Sequence, residues 1–144
     1  MSNGQDYPDL FIPRDYLTRA HDFYCACKVL PDFHPAFMSM WPQHALFGHA
    51  IELVLKAYLL SKGIDRETLR KEYGHRLVKL LRQSVVLGLP NDERVAKMIE
   101  FINEPLSTQM PRYPNPETMG NAVATIPQFY ADYDRLVQTV CENI

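Results

Sequence analysis

The side chains best suited to chemistry in this sequence fall between positions 49 and 75: His49, Glu52, Lys56 and His75. Glu52 and Lys56 stand at i and i+4 in the order that favours pairing on a helix. His75 follows Gly74 at what reads as a helix start, where backbone geometry holds a side chain and points it at its surroundings. A carboxylate, an ammonium and an imidazole brought together form a polar pocket in which the imidazole can take up or release a proton near neutral pH. Plainer roles stay open, a surface ion pair for Glu52 and Lys56 and a capping or packing role for His75. His49, Glu52 and His75 also have the side-chain types of a metal-binding helical bundle. The di-iron form of that design needs Glu-x-x-His twice with further carboxylates, whereas the helix that carries His49 and Glu52 has the reverse order once. No local signature of a Ser or Cys nucleophile and no glycine-rich phosphate loop is present, so no cofactor is expected. A second candidate is Arg112-Tyr113, a cation and a ring suited to a nucleotide's phosphate and base, or equally a solvated arginine and a packed tyrosine.

The element that must position the central residues runs from Pro42 to about Lys62. It is rich in good helix formers and has one glycine, Gly48. Pro42 fits a first turn, and Gly63 is placed to end the helix in a left-handed conformation. At 100° per residue Gly48, His49, Glu52 and Lys56 share one wedge, and apolar residues cover most of the remaining circumference. A helix apolar nearly all round is the buried centre of a bundle. A membrane span is the other reading, but it needs about 20 apolar residues, and this shorter run carries His49, Glu52 and Lys56. Beyond Gly63, Asp65 can cap a short helix that runs to about Tyr73 and stops at Gly74. Leu77, Leu80, Leu81 and Val85 then mark a further helix with Arg76, Lys79 and Arg82 on its opposite face.

The rest of the chain reads as supporting helices. A length of 144 residues fits one core, and the 47% hydrophobic content argues for a folded chain. The formal charge of −2 gives no broad attraction for nucleic acid, so any RNA contact must come from a local patch. Residues 1–13 read as a flexible N-terminal segment, polar and without a signal-peptide pattern, which makes the cytoplasm the expected location. Residues 14–144 read as a single helical domain. The first helix is expected over Asp15–Leu30, with Tyr16, Ala20, Phe23, Tyr24 and Cys27 at helical spacing and Pro31 closing it. Cys25 and Cys27, two apart, face away from each other, and with Cys141 they read as reduced core or boundary residues. The aromatic segment Asp32–Trp41 is expected to lie over the core as a lid or to serve self-association. Asn91 can cap a helix with Val95, Met98, Ile99 and Ile102 inward, ending near Asn103 before Pro105. A long irregular connection follows, over Glu104–Pro116. The last helix carries Ile126, Tyr130, Tyr133, Val137 and Val140 on one face and Asp132, Asp134 and Arg135 outside, with a kink or restart at Pro127. No strand-like alternation is visible. The expected fold is all-α, an antiparallel bundle of four or five helices.

The phrase HAIELVLKAYLLSKG followed by YGHRLVKLL resembles the E-L-x-L-K-A…G-H-x-L-x-x-L pattern of many HEPN-domain proteins, with Glu52, Leu53, Leu55, Lys56, Ala57, Gly74, His75, Leu77 and Leu80 at the matching positions. Arg112-Tyr113-Pro114 resembles a short segment that precedes the last helix in several members. The motifs cover about 40 residues, and the likeness of architecture extends over roughly 125. The resemblance implies a HEPN-like helical bundle that binds a nucleotide, RNA or a partner protein without catalysis. Lys56, His75, Arg76 and Arg112 would then form the anion site beside Glu52, and Tyr113 would stack. It also implies a homodimer with a site at its seam, and partners such as nucleotidyltransferases in toxin–antitoxin or defence settings. The alternative within the family is a metal-independent endoribonuclease, whose members carry an Arg followed four to six residues later by His. Arg70 and His75 meet that spacing, the Arg to hold the scissile phosphate and the His to move a proton as the 2′-hydroxyl attacks. In this chain Lys71 follows the Arg where a small polar residue is common, and the pair lies at the Gly74-His75 helix start rather than ahead of the last helix.

Overall fold

The computed structural model describes residues 12–33, 41–107 and 123–144. Six α-helices lie among them: α1 (Ile12–Phe33), α2 (Trp41–Ser61), α3 (Arg66–Thr68), α4 (Leu77–Val86), α5 (Glu93–Ser107) and α6 (Tyr130–Asn143). A π-helical turn, Leu69–Tyr73, continues α3, and a 3₁₀ segment, Val123–Phe129, leads into α6. No strand occurs among the described residues. The short helix expected after Asp65 is α3, a three-residue turn, which brings the count to six beside the five longer helices of the bundle.

The helix that is apolar nearly all round is the buried one. Phe47, Ile51, Val54, Leu55, Tyr58 and Leu59 of α2 are almost fully shielded, and α1, α4, α5, α6 and the 3₁₀ segment all touch it, α1 most extensively. Leu77 and Leu80 of α4, Met98, Ile99 and Ile102 of α5, and Tyr133, Leu136 and Val140 of α6 complete the core. Each such side chain stabilises by roughly 1.5–3 kcal/mol on burial. An exposed ion pair such as Glu67–Lys71 contributes only about 0–1 kcal/mol, so the core holds the bundle together. Tyrosines fix α6 across α1: the Tyr24 and Tyr133 rings lie 4.1 Å apart, Tyr133 donates to the Ala20 carbonyl and Tyr24 to that of Tyr130.

Several boundaries differ from the sequence expectation. Pro31 does not close α1, which runs on to Phe33. A proline within a helix frees the carbonyl four residues earlier, and here Gln43 Nε2 donates to that group, the Cys27 carbonyl, at 3.2 Å. The cap of α5 is Asp92, not Asn91, since the Asp92 carboxylate accepts from the Arg94 and Val95 amides. α5 also continues through Pro105 to Ser107. There the proline falls in the final turn, where loss of one amide interrupts little. α6 restarts after Pro127, which lies in the preceding 3₁₀ segment. Asp132 is buried, 3.5 Å from the Arg94 guanidinium, and not on the outer face. Cys25 and Cys27 do face apart, and burial pushes the Cys27 thiol up to about 11. Ile12 and Pro13, expected from the sequence in a flexible segment, belong to the first turn of α1; the remainder of that segment, the aromatic segment 34–40, and Arg112, Tyr113 and Pro114 lie outside the described residues. No helix among the described residues is long and apolar enough to cross a membrane.

Candidate functional site

The polar wedge of α2 turns inward toward the start of α4. Glu52 is 4% exposed, and three side chains converge on its carboxylate. Lys56 Nζ, one turn along the same helix, lies 2.7 Å from Oε1. His75 Nδ1 lies 2.9 Å from Oε1 and 3.0 Å from Oε2, and His49 Nδ1 lies 3.4 Å from Oε2. Burial alone would raise the carboxyl pKa, but hydrogen bonds from His49, Lys56 and His75, with the charge of Lys56, outweigh it and hold the group at about 2. Glu52 is therefore ionised at every physiological pH, and an ionised carboxylate only accepts. Nδ1 of His75 must then carry a proton.

The turn that carries His75 is tied on both sides. Gly74 adopts φ +53°, open to glycine and strained for other residues, and this reverses the chain between the π turn and α4. Asn103 Oδ1 of α5 accepts the Leu77 amide at 3.0 Å and so caps the first turn of α4. Lys79 reaches back to donate to the Glu72 carbonyl at 2.6 Å and lies over the Tyr73 ring. His49 is set by α1, whose Phe23 meets its ring edge to face at 4.4 Å. The His75 side chain remains 73% exposed even with Nδ1 on a buried carboxylate. Its other nitrogen, Nε2, is the atom available to a ligand. With Nδ1–H held on the carboxylate, that nitrogen accepts from a bound group while the ring is neutral, and donates once it has taken up a proton.

Of the residues singled out in the sequence, Glu52, Lys56 and His75 come together. Arg76 sits exposed at the cap of α4, and no hydrogen bond or ion pair joins it to the cluster among the described residues. Arg70 lies exposed on the π turn and lines a surface groove with Lys56. Arg70 and His75 are thus related through Lys56, which shares the groove with one and the Glu52 carboxylate with the other. His49 and His75 both spend Nδ1 on hydrogen bonds to Glu52, and no group of three His, Cys, Asp or Glu side chains among the described residues is arranged to hold a metal ion.

Two buried polar residues of α2 escaped the sequence reading. His44 Nε2 donates to the Ile102 carbonyl at 3.1 Å, and burial, which disfavours the charged ring, pushes its pKa down. His44 Nδ1 and the neighbouring Gln43 Oε1 have no hydrogen-bond partner among the described residues. Their only sequence signal is polarity on an otherwise apolar helix. Comparison of the chain with protein-family models, with curated proteins and with solved structures finds no match.

Proposed function

We propose that this chain is a HEPN-like helical module that binds a nucleotide or RNA in regulation or defence, as a homodimer and with a protein partner of the nucleotidyltransferase type. The observation that carries the reading is His75, anchored through Nδ1 to a buried carboxylate and exposed in the midst of a cation-rich segment. Residues 66–82 hold Arg66, Arg70, Lys71, Arg76, Lys79 and Arg82 against Glu67 and Glu72, although the whole chain is acidic at −2. A local concentration of this kind supplies the patch that net charge denies. Glu52 already engages Lys56, so the phosphate charge falls to the arginines, and His75 adds a directional contact through Nε2.

A second reading, metal-independent endoribonuclease, is favoured by one specific feature, the fixed tautomer of His75. With Nδ1–H on Glu52, a neutral ring offers a bare Nε2 as general base. It would take the 2′-hydroxyl proton as that oxygen attacks the adjacent phosphorus, forming a cyclic phosphate as the P–O5′ bond breaks and the departing 5′-oxygen takes a proton from solvent water. Arg70 would hold the charge that develops on the phosphoryl oxygens.

Fluorescence anisotropy with a mixed single-stranded RNA, in chelator and at two salt concentrations, tests the first reading. Wild-type protein is expected to bind, more weakly at the higher salt, and R76E with R82E to bind at least about fivefold more weakly. Absence of binding by RNA and by free nucleotides at low salt would reject the module reading. Gel analysis of the same incubations tests the second, with cleavage by wild type expected to be lost in His75→Ala and Arg70→Ala at equal folded concentration. Intact RNA throughout would leave binding alone.

A further inference from the structure

A groove of about 490 Å³ opens beside the Glu52 cluster, lined by Tyr16 of α1, Lys56 of α2, Arg66 and Glu67 of α3, and Leu69 and Arg70 of the π turn. Its walls differ in chemistry. Leu69 is 1% exposed and makes an apolar floor. Tyr16 packs partly against the core, and no hydrogen bond takes its hydroxyl among the described residues. Of the charged groups, Glu67 is held by Lys71 at 2.7 Å and Lys56 by Glu52 at 2.7 Å. The guanidiniums of Arg66 and Arg70, four residues apart on one rim, have neither ion pair nor hydrogen bond among the described residues, and both are exposed.

Two unpaired guanidiniums beside an aromatic wall are suited to a particular kind of anion. A guanidinium presents its donors in a planar fork that matches phosphate oxygens two at a time. A terminal phosphomonoester carries about −1.5 to −2 charge at neutral pH, because its second ionisation falls near pH 6, and so matches two free cations. An internal phosphodiester carries a single charge and has two of its four oxygens bonded into the strand. The ring of Tyr16 suits the flat, weakly polar face of a base.

We infer that this groove is a site for a terminal phosphomonoester joined to a nucleoside, with Arg66 and Arg70 gripping the phosphate and Tyr16 facing the base. The inference rests on the nucleotide- or RNA-binding reading and narrows it to a strand end or a mononucleotide, the two sources of that chemistry. Arg66 and Tyr16 become ligand-binding residues, and Lys56 joins the groove to the carboxylate that holds His75.

The test measures a ratio. The full chain is titrated with one single-stranded RNA sequence bearing a 5′-phosphate, a 3′-phosphate or hydroxyls at both ends, and separately with AMP and adenosine. Wild-type protein is expected to prefer one phosphorylated end over the hydroxyl strand, and AMP over adenosine, by about tenfold, the worth of one charge-assisted hydrogen bond. In Arg66→Gln and in Arg70→Gln, shown to be folded by circular dichroism, both ratios are expected to fall severalfold, since one guanidinium remains, and to about one in the double variant. A strand that binds equally well with phosphate or hydroxyl ends, together with equal affinity for AMP and adenosine, would overturn the groove assignment while RNA binding itself stood. Ratios that survive both substitutions would overturn it as well. AMP binding that depends on Arg66 and Arg70, with no strand bound, would keep the groove as a mononucleotide site and remove RNA from the proposed function. No binding of any probe would remove both.

Discussion

Two groups of charged side chains meet at Lys56 and are treated in opposite ways. On the inner side, Glu52 is shielded from water and surrounded by an ammonium and two imidazoles. On the outer side, Arg66 and Arg70 stand exposed on a groove with no acidic partner among the described residues, since the nearby Glu67 is taken by Lys71. The difference follows from solvation. A buried charge is tolerable only when it is paired and hydrogen-bonded, so the inner group fixes positions and has little charge left for a ligand. The exposed arginines are hydrated without a partner and can exchange water for phosphate oxygens. One side of Lys56 positions a histidine and the other presents cations.

Removing the inner charge is expected to have the largest effect. Holding the Glu52 carboxyl at about 2, against an ordinary value of 4.5, corresponds to about 3 kcal/mol at roughly 1.4 kcal/mol per pH unit. Glu52→Gln is therefore expected to lose stability of that order at pH 7, read as a lower urea midpoint. The sign with pH follows from the depressed value. The contribution is complete above about pH 4.5, declines as pH falls and is gone below about 2. Wild-type stability should drop across that window by about 3 kcal/mol more than that of the variant. Parallel pH profiles for the two proteins would mean that the carboxylate is not stabilised by its neighbours, and the comparison would collapse.

A smaller effect is expected where the backbone delivers His75 to the carboxylate. Gly74→Ala meets no neighbouring atom but must hold φ +53°, which costs an L-residue about 1–2 kcal/mol. The loss should appear in chemical denaturation, and the His75 ring signals should shift in NMR spectra as the turn relaxes. A neutral Gly74→Ala would show that the reversal does not depend on glycine. The smallest effect belongs to the outer group. Arg66→Gln and Arg70→Gln are expected to leave stability within about 0.5 kcal/mol of wild type. A larger loss in thermal or urea unfolding would make these arginines structural, and the contrast with Glu52 would fail.

Much of the fold is legible in local signals. Asp65 caps α3 by accepting the Thr68 amide at 2.7 Å, and Gly63 ends α2 at φ +95°, as a capping side chain and a lone glycine between two helical runs suggest. The burial of Leu77 and Leu80 follows from their spacing. Pro31 and Pro105 depart from the sequence expectation because the effect of a proline depends on what replaces the missing hydrogen bond. Pro31 is accommodated since Gln43, twelve residues on and in another helix, satisfies the freed Cys27 carbonyl. Asp132 reads as an outer residue, yet α5 brings Arg94 to it.

The site divides along the same line. Periodicity alone puts Glu52 and Lys56 on one wedge of an otherwise apolar helix and puts His75 at a helix start after a glycine, because these are relations among near neighbours. Tertiary structure decided that the wedge faces the Gly74-His75 turn, and that Phe23 of α1 sets His49 against the carboxylate. It also decided that Tyr16 of α1 shares a groove with Arg66 and Arg70. Those contacts join residues 23 to 54 positions apart or lying on different helices. No helical period encodes them; they arise when the apolar faces of α1, α2 and α4 pack together and carry the polar side chains with them.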